Sequence, residues 1–263
     1  MDSQKKVAIV TGSSAGVGRA TAVRLADHGC HVVVNYRKGR AEAEETAALC
    51  RAAGAEVCVV EADVARDEDC RRLVDTAVHS FGRLDYLVNN AGTTQFIPFE
   101  ELERLSEEVW EKIFRTNVFG TFYGIRAAVP HLKRSGSGSI VNVTSIAGIQ
   151  GTGSSIAYAA SKAAVNNMTL ALARTLGPEI RVNAVAPGAI DTRWIRNGIG
   201  ESGYGALEKM YRESAPLREI VPAEAVAETI VWLLEGARMT TGEVITVDSG
   251  IHLGPAPPLK RRD

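Results

Sequence analysis

Short runs of apolar, mostly β-branched residues alternate with longer amphipathic stretches along nearly the whole chain. The segments Lys6–Thr11, His31–Asn35, Glu56–Val60, Leu84–Val88, Ser139–Val143, Arg181–Val185 and Glu243–Val247 read as seven strands. Their apolar character is close to continuous rather than alternating, as expected of strands covered on both faces. Helical periodicity fills the gaps at 16–28, 41–53, 67–80, 107–133, 155–176 and 222–235. Ser106 is a candidate N-cap for the fourth of these, with Glu107 and Glu108 in its first turn. Strand–helix alternation predicts an α/β fold, a doubly wound, parallel, seven-stranded sheet of the Rossmann type. Right-handed crossovers then gather the carboxyl ends of the strands on one edge, where ligands bind. Segment 188–221, rich in glycine and aromatics, reads as irregular. The expected organisation is one catalytic domain over 1–254, a substrate lid at about 190–215 and a mobile tail at 255–263.

Composition narrows the classes. The 263 residues carry 30 Lys and Arg against 31 Asp and Glu, for a formal net charge of −1. That balance gives no general attraction to nucleic acid or to a membrane surface. No apolar run approaches the ~18 residues of a membrane span, and Val7–Val10 is too short for a signal peptide. The expected location is the cytoplasm. Cys30, Cys50, Cys58 and Cys70 form no C-x-x-C pair, and the five histidines show no ligand spacing. A structural metal is therefore not expected.

The first strand runs into Thr11-Gly12-Ser13-Ser14-Ala15-Gly16-Val17-Gly18 and then a helix. Gly12 allows a tight turn, Gly16 lets backbone approach a pyrophosphate, and Gly18 lets the helix pack closely on the sheet. The helix N-terminus offers free N–H groups to an anion. Ser14 and Val17 belong to the same turn. The spacing is one residue longer than G-x-G-x-x-G. A P-loop is excluded because no Gly-Lys-Ser/Thr follows. Gly12–Gly16 is also formally G-x-S-x-G, with Ser14 as nucleophile and His252 as base. A nucleophile elbow on the first strand, however, leaves no earlier strand to supply the oxyanion hole. At the end of the second strand an NAD-selective site places an acid on the ribose diol. Here Tyr36-Arg37-Lys38 stands instead. Arg37 can pair with a 2′-phosphate, which favours NADP(H), with NAD(H) as the lesser option.

Tyr158 and Lys162 lie four residues apart in a helical stretch, so they share a face. A nearby ammonium stabilises phenolate, and such a tyrosine can exchange a proton with a carbonyl or alcohol oxygen. Ser145 follows a strand at the ligand edge and can hold that oxygen. Asn117, inside a long apolar helix, needs buried partners.

Together these residues resemble the short-chain dehydrogenase/reductase family over about residues 5–250. Asp63-Val64 resembles its adenine-contacting pair, and Asn89-Asn90-Ala91-Gly92 its fourth-strand motif. Asn117, Ser145, Tyr158 and Lys162 resemble its catalytic tetrad. Pro187-Gly188, with Ile190 and Thr192, resembles the segment that holds the nicotinamide carboxamide. The resemblance implies hydride transfer between a nicotinamide cofactor and a carbonyl or secondary alcohol. Tyr158 is then the acid/base, Lys162 lowers its pKa and binds the ribose, Ser145 positions the substrate and Asn117 relays protons through water. It implies a homotetramer built on the two longest helices, and Trp194, Met210 and Tyr211 as lid residues facing substrate. Within the family the sequence is similar to 3-oxoacyl-acyl-carrier-protein reductases and to sugar or secondary-alcohol dehydrogenases. An acyl carrier protein is a possible partner, expected to dock on Lys133, Arg134 and Arg174. A non-catalytic NADP-binding redox sensor is the alternative from another class. Ala15 replaces a basic residue common in NADP users, and Asp248-Ser249-Gly250 a commoner Asp-Gly-Gly.

Overall fold

The computed structural model describes residues 5–254, so the expected mobile tail at 255–263 lies outside the described residues. Seven parallel strands form one sheet: β1 (Val7–Val10), β2 (His31–Tyr36), β3 (Val57–Glu61), β4 (Tyr86–Asn89), β5 (Gly138–Val143), β6 (Ile180–Pro187) and β7 (Val244–Val247). Their order is β3-β2-β1-β4-β5-β6-β7. The direction of winding reverses between β1 and β4, which opens a crevice above their carboxyl ends. The doubly wound parallel sheet read from the sequence is the one observed, each strand within about two residues of its expected ends.

Side-chain alternation divides the core into two layers. Ala8, Val10, Val32, Val34, Val88 and Val141 pack against α1 (Gly16–Asp27), α2 (Arg40–Ala52) and α9 (Ala223–Glu235). Val7, Ile9, Val33, Leu87, Ile140 and Val182 face α3 (Asp67–Phe81), α5 (Gly120–Ser135) and α7 (Ile156–Leu176). All of these strand residues are fully or almost fully buried. This is why the strands lack a polar face.

Two expectations are corrected. The stretch 107–133 is not one helix: α4 (Glu107–Phe114) leads into a π-helical turn over Arg115–Phe119, and α5 then runs to Ser135. The widened turn carries the Asn117 side chain inward to buried partners. It also ends at Gly120, where a Cβ would come within 3.0 Å of the Val64 carbonyl oxygen. Ser106 occupies the N-cap position of α4, yet its side chain makes no capping bond there.

The second correction concerns the segment expected to be irregular, which contains a helix, α8 (Arg193–Ser214), kinked at Gly200, whose φ is 71°. Its four glycines lower helix propensity, but Ile195, Ile199, Tyr204, Leu207 and Tyr211 recur about every fourth position. They pack with Ala215, Ile220 and Ile251 into a cluster of their own. Ser249 stands at φ 58°, a left-handed conformation that favours glycine.

The short helix α6 (Ala147–Gln150) crosses α7 at the position of Lys162. A Cβ on Gly148 would lie 2.6 Å from Ala163 N and from the Lys162 carbonyl carbon. Backbone cannot give way as a flexible side chain can. Gly148→Ala is therefore expected to cost about 1–3 kcal/mol and to lower Tm by several degrees, at roughly 2–4 °C per kcal/mol for a chain of this size. An unchanged melting curve would show that α6 can slide.

Candidate active site

The cofactor turn is held by polar side chains that its glycine pattern does not reveal. Asn35, buried in β2, accepts from Gly12 N–H at 3.0 Å and donates to the Ala62 carbonyl at 3.1 Å. Thr11 Oγ1 accepts the main-chain N–H groups of Asn90 (2.9 Å) and Ala91 (3.0 Å). Asn90 Nδ2 in turn donates to the Thr11 and Gly12 carbonyls. Gly12 and Gly16 have φ of 62° and 54°. A Cβ on Gly18 would come within 2.5 Å of the Gly12 oxygen and 2.6 Å of Asn90 Nδ2, so only glycine fits beneath the turn. Ala15, the N-cap of α1, makes no side-chain capping bond. The first N–H groups of α1 thus remain available to an anion, and the residues present fit a dinucleotide pyrophosphate.

A cleft of about 890 Å³ runs from this turn across the switch point. It is lined by Gly12, Ser14, Gly16, Val17, Tyr36, Arg37, Asp63, Val64, Asn90, Ala91 and Gly92, and by Pro187, Gly188, Ile190 and Thr192. Ser145, Tyr158 and Lys162 line its other end. Gly18 lies below the floor, and Asn117 behind the wall. Residues that the motifs did not single out, Asn35, Thr144, Arg193 and Ile195, also line it. At the β2 end, Arg37 is half-exposed and its Nη1 lies 3.7 Å from Asp63 Oδ2. The Tyr36 ring belongs to the buried layer against α2, with the hydroxyl 3.3 Å from Glu61 Oε2, and the residue also lines the cleft. Arg37, Lys38 and Arg40 are all exposed after this strand end, and Arg37 and Lys38 line the cleft.

Tyr158 sits in the first turn of α7, fixed by Ser155, whose buried hydroxyl accepts from Tyr158 N–H. The Lys162 ammonium lies one helical turn on. Its Nζ donates to the Val143 carbonyl at 2.9 Å and stands 5.7 Å from the centre of the Tyr158 ring. Burial pushes the Tyr158 phenol up to about 12, against a lowering by its hydrogen bond with Ser145. Burial pushes the Lys162 ammonium down to about 8, so it keeps its charge at pH 7. Ser145 Oγ itself accepts from Ala147 N–H at 3.1 Å. Asn117 accepts from Thr93 N–H and donates to the Thr93 carbonyl and to Ser161 Oγ, which donates on to the Tyr158 carbonyl. Both Nδ2 hydrogens are therefore committed, and a water chain can meet Asn117 only at an oxygen.

Other expected residues lie elsewhere. His252 Nδ1 is held by the Asp248 carboxylate at 2.8 Å after β7, and His252 is not part of the cleft wall that contains Ser14. The hydrolase pairing is thus not assembled. Tyr211 is a buried anchor rather than a substrate contact: its hydroxyl accepts Ala189 N–H at 2.7 Å. Met210 is exposed and outside the cleft wall, whereas Trp194 lies in it. Lys133 and Arg134 directly precede β5, and Arg174 shortly precedes β6. Lys133 also pairs with Glu179 at 3.8 Å. In a parallel sheet these helix ends occupy the amino edge of the strands, opposite the cleft. The three cations do not flank the entrance of their own chain.

A sheet wound in this order, with a glycine-lined anion turn and a tyrosine–lysine pair across one cleft, defines an oxidoreductase of the nicotinamide-dependent class. The chain belongs to the short-chain dehydrogenase/reductase family. The family described as enoyl-(acyl carrier protein) reductase matches residues 12–252. Ketoacyl reductase 2 of the granaticin polyketide synthase, as that Streptomyces violaceoruber protein is described, is 48% identical over 94% of this chain and 96% of its own. A 3-oxoacyl-acyl-carrier-protein reductase of Staphylococcus epidermidis is 35% identical, covering 94% and 99%. A crystal structure from Burkholderia xenovorans, described as a short-chain dehydrogenase/reductase, superposes with a TM-score of 0.89 at 42% identity, over 96% of this chain and all of that one. Among the described residues no helix is long and apolar enough to cross a membrane.

The buried lysine makes stability depend on pH. A folded-state pKa near 8, below the unfolded value near 10.5, means that the unfolded chain binds more protons between those values. The burial cost is fully present below pH 8 and is relieved as pH rises toward 10.5. Lys162→Met removes that dependence. Relative to wild type, the variant is expected to be more stable at pH 7, with the gap shrinking by pH 10.5, as measured by urea unfolding at both pH values. A gap independent of pH would contradict burial of a charged Lys162.

Proposed function

We propose that the chain is an NADP(H)-dependent reductase of ketones, of the 3-oxoacyl type or related to it, with Tyr158 as general acid. The observation that carries this reading is the convergence of Ser145, Tyr158 and Lys162 at one end of a cleft whose other end presents Arg37. Residues 1–254 act as one catalytic unit in this reading, with α8 as the substrate lid. When bound, the cofactor supplies a hydride to the carbonyl carbon. Ser145 Oγ and the Tyr158 hydroxyl hold the carbonyl oxygen, and Tyr158 gives that oxygen its proton, so that ketone becomes alcohol. Lys162, charged at pH 7, stabilises the phenolate left behind. Asn117 and Ser161 brace the Thr93 loop against the catalytic helix. The names of the ketoacyl and 3-oxoacyl reductases among the relatives support the reaction class. They also leave an acyl carrier protein as a candidate donor of substrate, approaching from the carboxyl edge of the sheet. Exposed Phe122 and Leu170, on α5 and α7, support assembly of copies through those helices.

Tyr158→Phe keeps the ring and removes the transferable proton. A loss of at least ~10²-fold in kcat is expected, within the range for a general acid, with NADPH binding retained by calorimetry. Near-normal turnover would remove Tyr158 from the chemistry.

In this reading Arg37 meets the 2′-phosphate, with exposed Lys38 beside it and Asp63 Oδ2 3.7 Å from its Nη1. Substitution of the buried Tyr36 would disturb the core, so Arg37→Ala alone is the cleaner variant. It is expected to raise KM for NADPH roughly ten- to a hundredfold, in line with loss of one charge-assisted contact of ~1.5–3 kcal/mol, and to leave KM for NADH nearly unchanged. A wild-type enzyme that prefers NADH would overturn the assignment.

A further inference from the structure

Helix α7 carries both Tyr158 and Lys162, yet little in its packing fixes how far along its own axis it sits. Beyond Lys162 its buried stripe continues as Val165, Thr169, Ala173 and Leu176. Most of these side chains are small, and apolar contact is non-directional, so the stripe resists a slide of a fraction of an ångström only weakly. Among the described residues two side-chain hydrogen bonds tie the helix to the strands, and both end on β5. The Lys162 ammonium donates to the Val143 carbonyl, and the Asn142 amide donates to Thr169 Oγ1 at 3.0 Å. The Lys162 tie runs through a flexible four-carbon stem that can follow a moving helix. The Thr169 tie is short, and a β-branched side chain in a helix has few rotamers.

Thr169 closes a polar row inside the core. Asn89 on β4 and Asn142 on β5 are register partners, two residues beyond Leu87 and Ile140, and so point toward the same helical layer. Asn89 Nδ2 donates to Asn142 Oδ1 at 2.9 Å. The Thr169 hydroxyl donates to the Val165 carbonyl at 2.9 Å, so its lone pair is what meets Asn142. Asn142 and Thr169 are fully buried and Asn89 is 5% exposed, so bulk water cannot stand in for a lost partner. α5 closes the row at its other end, where a Cβ on Gly124 would fall 2.9 Å from Asn89 Oδ1. Asn89 also immediately precedes Asn90, which clasps the cofactor turn. The row therefore measures α7 against the same loop that positions that turn.

Thr169 lies seven residues beyond Lys162, roughly 10 Å along the axis at 1.5 Å per residue. A regular helix is stiff over that length, and an axial shift at Thr169 arrives undiminished at Tyr158. Hydride and proton must reach adjacent atoms of one carbonyl, the first from the cofactor floor and the second from α7. A misplacement of about 1 Å in such an arrangement can cost 10²-fold in rate.

We propose that Thr169, which is not part of the cleft wall, is a positioning residue for the reaction. Through Asn142 and Asn89 it sets the axial position of α7, and with it the height of the Tyr158 hydroxyl and the Lys162 ammonium over the cofactor turn. The proposal rests on the reading of this cleft as a ketone reductase site.

Thr169→Val keeps the shape of the side chain and sets a methyl against the Asn142 amide. Apolar carbon needs about 3.5–4 Å where the hydroxyl accepts at 3.0 Å, so α7 is expected to move by roughly 0.5–1 Å. Crystal structures of wild type and variant, superposed on the seven strands, read that displacement. Its effect is read as kcat and KM by NADPH absorbance, with the N-acetylcysteamine thioester of 3-oxobutanoate as substrate. The expected result is a fall in kcat of about tenfold, with KM for NADPH and for the thioester changed less than about twofold. Thr169→Ser keeps the acceptor and should restore most of kcat. Leu73→Ala, a buried truncation on α3 outside the cleft wall, should lower Tm at least as far and leave kcat within about twofold. If Thr169→Val fails to fold, Thr169→Ala carries the same expectation for kcat. Unchanged kcat, a helix that does not move, or a kcat loss matched by Leu73→Ala would overturn the positioning role. A displaced helix in a protein whose wild type does not reduce the thioester would uphold that role and sink the 3-oxoacyl reductase reading instead. Wild-type turnover with an unmoved helix in the variant would do the reverse.

Discussion

The Thr11–Asn90 clasp at the switch point is the interaction on which the rest of the site depends. The strand order reverses between β1 and β4, so their following loops diverge, and the sheet ladder sets the distance between them only as far as the bond from Thr11 N–H to the Val88 carbonyl at 3.0 Å. Thr11 and Asn90 set it with four hydrogen bonds across the gap. That clasp draws Asn90 over Gly18, where any Cβ would collide, and brings Ala91 against Gly12. The glycine turn after β1 and the loop after β4 are thereby one rigid piece. Asn35 extends it to β3 through the Ala62 carbonyl.

The Tyr158–Lys162 end of the cleft is arranged around a cost. Placing a phenol and an ammonium out of water disfavours both charged forms, and both groups are shifted accordingly. A fold selected for stability alone would fill Lys162 with an apolar side chain. What keeps the ammonium there is one good acceptor, the Val143 carbonyl at the end of β5, together with a helix that α6 locks in place. The π turn at Asn117 belongs to the same arrangement. A regular helix would leave the amide misdirected, whereas the widened turn lets it bridge the Thr93 loop and Ser161. Irregular helix geometry of this kind concentrates at functional sites.

The strands and most helices were legible because burial on two faces writes itself into composition: Val7–Val10 and Val32–Val34 have no polar partner face to advertise. The Gly12–Gly18 turn and the Tyr158–Lys162 spacing were legible because the backbone and the helix period allow few other uses for them. Helix α8 was read as irregular because Gly198, Gly200, Gly203 and Gly205 depress local propensity, while the Ile195–Tyr211 pattern that holds it helical works only when packed against Ala215 and Ile220.

From sequence alone the chain is a doubly wound sheet with a dinucleotide turn and a tyrosine–lysine pair, because these depend on contacts within a few residues and on periodicity. Tertiary structure alone decided which groups meet across the cleft. It set Trp194 beside Tyr158, buried Tyr211 as an anchor, separated His252 from Ser14, and put Lys133, Arg134 and Arg174 on the far edge from the entrance. Each of these joins elements distant in the chain, and such distances are set by the packing of helices on the sheet rather than by any local pattern.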